Sequence, residues 1–226
     1  MYMRTLIDTI LARCAALGIK NNADINAVDA SAVELMLLHV LQGLTDGYDW
    51  EMFLTTAEPL FASQAGVLSC ALPEDFQRFL LPNDEQTSGL FLWDGTTEWG
   101  LTYLQPEEFR RQWQRTAGKP VWFTLTAGPT VVLDPPPDAT AAYVGSGTYV
   151  RTMTPAILDE NVPILFPSAL VEMTLAPLAL DAAHVASQGL LATADVARTR
   201  LINAYARQAQ RFQTRTGRAL TSTRMT

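Results

Sequence analysis

The sequence predicts an α+β protein: a helical bundle formed by N- and C-terminal helices, an antiparallel β-sandwich or barrel domain inserted between them, and an extended C-terminal arm. Three observations predict it. Between Leu68 and Val150, short runs rich in aromatic and β-branched residues alternate with turn signals such as Asp94-Gly95, Gly128-Pro129 and Gly145-Ser146-Gly147, the pattern of a small antiparallel β-domain. On both sides of that stretch, apolar residues recur at three- and four-residue spacing, the period of a helix. From residue 196 onward the chain carries seven arginines and no acid. These patterns place the helical domain at 1–66 and 155–213, the β-domain at 67–154 and the arm at 214–226.

Leu6, Ile10, Cys14 and Leu17 lie on one face of a first helix, which Gly18 stops. Ser31-Ala32-Val33-Glu34 reads as a capping box ahead of the apolar run Leu35 to Leu44, a second helix expected to be largely buried. Thr45-Asp46-Gly47 is expected to break it. Trp50, Phe53, Leu54, Ala57 and Leu60 or Phe61 then predict a third, shorter helix ending near Ser63.

Strands are expected from Val67–Leu72, Leu90–Trp93, Leu101–Leu104, Val121–Leu125 and Thr130–Leu133. Pro73-Glu74-Asp75-Phe76 predicts a tight turn and Pro106–Trp113 a short helix, because proline presets the first torsion and carboxylates favour a helix start. Triple proline at 135–137 must end a strand, since it has no donor for a sheet interior. Gly145-Ser146-Gly147 predicts a closing hairpin between 141–144 and 148–150. Helices return with Pro167-Ser168, kinked at Pro177, and with a last helix from Val196 to about Phe212 capped by Thr193-Ala194-Asp195. The Leu-rich segment 181–191 has no place in this scheme.

The 226 residues are 48% hydrophobic, enough for a sizeable core. No apolar run is long enough to span a membrane, and a soluble protein made in a cytoplasm is expected. Cys14 and Cys70 are expected as buried thiols. His39 and His184 fall on predicted helices without a partner at ligand spacing, and His39 is expected in the core. No Gly-x-Ser-x-Gly elbow, phosphate loop or His-Glu-x-x-His motif occurs. No catalytic, cofactor-binding or metal-ligating residue is therefore assigned, no cofactor is expected, and the protein is read as a non-enzyme. Trp93, Trp99, Trp113 and Trp122 could stack on sugars. The alternation of Phe91 and Trp93 favours a core pair instead, and a carbohydrate-binding or other β-module without catalytic activity is the alternative reading.

The net charge of −7 hides an asymmetry, because the first 195 residues carry 9 Lys and Arg against 23 Asp and Glu. The seven remaining cations are Arg198, Arg200, Arg207, Arg211, Arg215, Arg218 and Arg224. An acidic trunk repels nucleic acid, whereas a basic end seeks phosphate or an acidic protein surface.

The succession Ala71-Leu72-Pro73-Glu74-Asp75-Phe76, Pro106-Glu107-Glu108-Phe109, Gly118-Lys119-Pro120-Val121-Trp122-Phe123-Thr124-Leu125 and Val132-Leu133-Asp134-Pro135-Pro136, between paired N-terminal helices and helices returning after Pro163, resembles the head-to-tail adaptor (connector) proteins of tailed bacteriophages. The likeness covers Ala32 to about Phe212. It implies a virion component at the head–tail interface, assembled in the host cytoplasm. It further implies a homo-oligomeric ring, usually a dodecamer, docked beneath the portal protein, with a downstream tail or nozzle protein below and packaged DNA passing through the lumen. Under that resemblance the portal-binding candidates are Arg207, Arg211, Phe212, Arg215, Arg218 and Arg224.

Overall fold

The computed structural model describes residues 2–20, 28–80, 89–114, 116–126, 128–138, 143–160, 164 and 166–216. Its helices are α1 (Met3–Leu17), α2 (Ala30–Gly47), α3 (Pro106–Gln112), α4 (Pro167–Asp181) and α5 (Ser187–Thr216). Its strands are β1 (Leu54–Ala62), β2 (Ser69–Ala71), β3 (Phe76–Phe79), β4 (Leu90–Trp93), β5 (Glu98–Gly100), β6 (Thr102–Tyr103), β7 (Trp122–Leu125), β8 (Thr130–Asp134) and β9 (Val144–Arg151). The class is α+β. The chain divides into two compact units, one built from residues up to Met52 together with Met153–Arg215, the other from Phe53–Thr152.

In the helical unit, α1 buries Met3, Leu6, Ile7, Ile10 and Cys14. It ends as the glycine predicts: Gly18 sits at φ 71°, its N–H donates to the Ala15 carbonyl, and the N–H of the buried Ile19 donates to that of Cys14. This pair of reversed bonds satisfies carbonyls that the helix leaves open. At the start of α2 the expected capping box is replaced by Asp29, whose carboxylate accepts from the Ala32 N–H at 2.7 Å and the Ser31 hydroxyl at 2.9 Å. Glu34 is drawn away to Arg4, which also donates to Asp159 at 2.8 Å.

Burial on α2 is a stripe of Val33, Leu37, Leu41 and Leu44. Leu35 is 71% exposed and His39 is also exposed, against the expectation of a core histidine. Helix α4 buries Leu170, Val171, Thr174, Leu175, Ala176, Leu178 and Ala179, and Pro177 lies inside it. Arg13 of α1 donates to Glu172 of α4 at 3.0 Å. Helix α5 buries Ala197, Leu201, Ala204 and Tyr205. The Tyr205 ring lies 4.8 Å from Tyr48 and 5.0 Å from Trp50, which is wholly buried.

Three expectations for helical segments are corrected. The third helix is strand β1, because Thr55 and Thr56 are β-branched and Pro59 has no N–H to continue a helix. The last helix starts at Ser187, running through the residues expected to cap it and taking in part of the unplaced segment 181–191. His184 accordingly lies in the turn before α5, where its Nδ1 accepts from the Ala186 N–H at 3.2 Å. The helix also continues through Thr216, so residues 214–216 are helical and not an extended arm. Residues 217–226 lie outside the described residues.

The β unit holds two sheets. One has the order β1-β9-β4-β5, with β3 also paired to β9; the other has the order β2-β8-β7-β6. Among the described residues the strands pair antiparallel except β6 with β7, which is parallel, as is an isolated bridge between Gly118 and Pro137; this corrects the wholly antiparallel expectation. Two parallel strands need a crossover, and α3 supplies it. The β1–β9 ladder shifts register between Ala57 and Phe61, around Pro59.

Residues from both sheets share one buried cluster: Phe61, Phe76, Phe79, Leu90, Leu92 and Tyr149 from the first, Cys70, Phe123, Val131 and Leu133 from the second. Phe79 meets Phe123 edge-to-face at 5.6 Å. The expected closing hairpin is absent, because β9 runs straight through Gly145-Ser146-Gly147. Those glycines permit close approach: a Cβ on Gly145 would lie 2.5 Å from the Phe61 ring, and one on Gly147 2.6 Å from the Gly89 carbonyl oxygen.

Carboxylates hold turns of the β unit, Asp75 and Asp134 among them. Asp75 accepts from Tyr149 at 3.0 Å and from Arg151 Nε at 2.7 Å, tying the Pro73–Phe76 turn to the end of β9. Burial and this bond push the Tyr149 phenol up to about 12. Asp134 is 1% exposed; its Oδ1 accepts from the Gln114 N–H at 3.0 Å, and its Oδ2 has no partner among the described residues.

Burial raises the Asp134 carboxyl above its ordinary range, against the opposing pull of the Gln114 N–H. An acid raised in the folded state stabilises folding below its unfolded pKa, and that contribution is lost as pH rises through the folded value. Asp134→Asn is therefore expected to be more stable than wild type at neutral pH, with the advantage shrinking towards about pH 4. Urea unfolding at several pH values checks this. An Asn variant less stable by the same margin at every pH would show that burial of the charge is not what Asp134 costs.

Candidate functional site

The arginine-bearing helix and the surface beside it are the most distinctive feature outside the cores. Helix α5 places Ala197, Leu201, Ala204 and Tyr205 inward at spacings of four, three and one, which leaves Arg198, Arg200 and Arg207 exposed. Between α5 and the first half of α4 runs a groove of about 740 Å³ lined by Phe166, Ala169, Val196, Leu201, Arg200 and Arg207 among others.

Its floor is apolar because alanines 169, 192, 197 and 204 are too short to fill the space between the two helices. Its rim is cationic: Arg200 and Arg207 border it, while Glu172 is already held by Arg13. Phe166 closes one end, 41% exposed and in the left-handed region at φ 60°.

Of the sequence-predicted portal-binding residues, Arg207 is exposed on this groove. Arg211, Phe212 and Arg215 continue on the same unbroken helix backbone, and their side chains, like Arg218 and Arg224, lie outside the described residues. Phe166 and the row of alanines were missed from the sequence. Small residues at helical spacing on α5 were the available signal.

The tryptophans divide. Trp99 is half-buried, its Nε1 donating to the Pro120 carbonyl at 2.8 Å with the Lys119 ammonium 3.6 Å from the ring centre. Trp122 is half-buried, but Trp93 is 47% exposed and Trp113 41% exposed. The expected Phe91–Trp93 core pair is corrected: in β4 it is Leu90 and Leu92 that turn inward.

Cys14 and Cys70 are buried free thiols, and burial pushes both pKa values up, away from the reactive thiolate. Among the described residues no group of three or more His, Cys, Asp or Glu could hold a metal ion, and no helix is long and apolar enough to cross a membrane.

No curated protein matches the chain. The model of the SU10 adaptor protein family matches residues 3–225. Since that match takes in the helical unit, the β unit and the arginine-bearing end together, the chain belongs to the SU10 adaptor protein family and is a structural adaptor component of a phage virion.

Proposed function

We propose that the protein is a head-to-tail adaptor that forms a ring beneath the portal, joins capsid to tail and lines the channel through which DNA leaves. The observation that carries this reading is the family match over residues 3–225. In this reading the four helices of the first unit form a bundle, the two sheets a sandwich, and the ring is a dodecamer. Arg207, Arg211, Phe212, Arg215, Arg218 and Arg224 dock on the portal, with an arm that begins beyond Thr216.

The charge split supports the assignment. An arginine-rich end makes strong, planar contacts with carboxylates. Carboxylates elsewhere would keep DNA sliding, because it is Lys and Arg contacts to phosphate that hold a duplex. Exposed Trp93 and Trp113 are suited to a downstream tail or nozzle protein, since large aromatics anchor interfaces. The same exposure keeps a carbohydrate-binding β-module as the second reading.

Electron microscopy and mass measurement of the purified protein with its portal test the proposal, with a ring on the portal as the expected result. Deleting residues 211–226 should weaken portal binding on the order of 100-fold, as expected when hot-spot arginines are lost. A chain that stays solitary with every capsid component present would sink it. Glycan binding abolished by Trp93→Ala would favour the second reading.

A further inference from the structure

We infer that the groove between α4 and α5 is the lateral contact between neighbouring copies, and that its occupant is the outward face of α2 from the next copy, centred on Leu35. The inference rests on the ring proposed above and names the surfaces that close it.

Among the described residues, two exposed apolar features stand out on the packed helices of the helical unit, apart from single exposed side chains such as Val185 and Leu180. One is the groove, where Val196 is 51% exposed beside Phe166. The other is Leu35, 71% exposed on the side of α2 opposite the Val33, Leu37 and Leu41 stripe. The first is floored by alanines; at the second, Leu35 stands exposed on the wall of a smaller hollow that Val28, Met36 and Leu178 also line.

Charge decides which surface meets which. Helix α2 with its Asp29 cap carries Glu34 and Asp46 and no lysine or arginine, although Arg4 holds Glu34 and Lys20 lines the hollow with Leu35. Helix α5 carries five arginines, Arg198, Arg200, Arg207, Arg211 and Arg215, against the single acid Asp195. Groove against groove would set Arg200 of two copies face to face, whereas the Leu35 side of α2 carries Asp46, about three helical turns further on. Groove against α2 brings opposite charges to the rim of an apolar contact, the arrangement that steers and specifies association. Because the two surfaces differ, the contact is head-to-tail, and head-to-tail contacts generate rings when the rotation closes.

The test uses full-length protein carrying Leu35→Cys and Val196→Cys together, assembled on its portal and oxidised mildly. Both positions are exposed, and the two native cysteines are buried. A ladder of covalent oligomers on a non-reducing gel is expected, with no ladder from either single variant. In parallel, Leu35→Arg should reduce ring assembly at least tenfold, and adding Arg200→Glu should restore it. Rings of normal mass that give no ladder and tolerate Leu35→Arg would overturn this interface while leaving the ring intact. Failure of the unmodified chain to form any ring would overturn the proposed function and this contact together.

Discussion

Trp50→Ala is expected to lower the unfolding free energy by about 3–5 kcal/mol, as for other fully buried aromatic truncations. Trp50 is wholly buried, with Tyr48 at 6.2 Å and Tyr205 at 5.0 Å between ring centres. Its removal leaves a void under the point where α5 is anchored to the segment following α2, since Tyr205 is the side chain through which α5 meets that cluster. Loss of α5 packing should therefore appear together with the loss of stability, as faster proteolysis within residues 187–207.

Trp50→Phe gives the contrast. The indole N–H has no acceptor among the described residues, so phenylalanine removes an uncompensated donor while keeping most of the ring. Its cost should be roughly 1–2 kcal/mol, well below the alanine variant. Urea unfolding measures both. Equal losses for Phe and Ala would mean that the N–H carries an interaction essential to the site, and the cavity argument would be wrong.

Gly147→Ala is expected to destabilise the β unit by about 3 kcal/mol or more, the upper range of overpacking in a rigid core. The atom in the way is backbone: the Gly89 carbonyl oxygen would lie 2.6 Å from the new Cβ. Gly89 is itself pressed against the Leu80 carbonyl oxygen, and the Leu80 N–H donates to Thr148 at 3.1 Å. Relieving the clash at 147 therefore means parting strands that hold one another.

Gly100→Ala is the control. Its Cβ would meet only the Phe91 ring at 3.5 Å, an ordinary contact, and alanine restricts the unfolded chain, so it should be near neutral. If Gly147→Ala melts with Gly100→Ala and wild type, β9 does not run through 145–147 as a packed strand.

The portions of the fold legible in the sequence are those governed by local chemistry. Helix α1 with its Gly18 stop, the turn at Pro73–Phe76, helix α3 behind Pro106 and strands β4, β7 and β8 each follow from periodicity, a proline torsion or a left-handed glycine within a few residues. The Gly145-Ser146-Gly147 run was misread because glycine has two uses, turning a chain and letting two chains touch, and only the partner distinguishes them. Strand β1 was misread because its apolar residues satisfy a helical period while its pairing partner β9 lies about ninety residues away, Leu54 opposite Val150.

The candidate site divides in the same way. The concentration of arginines after residue 196 is a property of composition and needs no fold to be seen. The groove is not: it exists because α4 and α5 come together with alanines between them, and no single helix encodes the space its neighbour leaves empty. By itself, then, the order of residues determined which segments are helical or extended where short-range sterics decide, and which end of the chain is cationic. The tertiary structure decided strand partners, which glycines are contacts, and where the uncovered surfaces lie, because each depends on an atom brought from far along the chain.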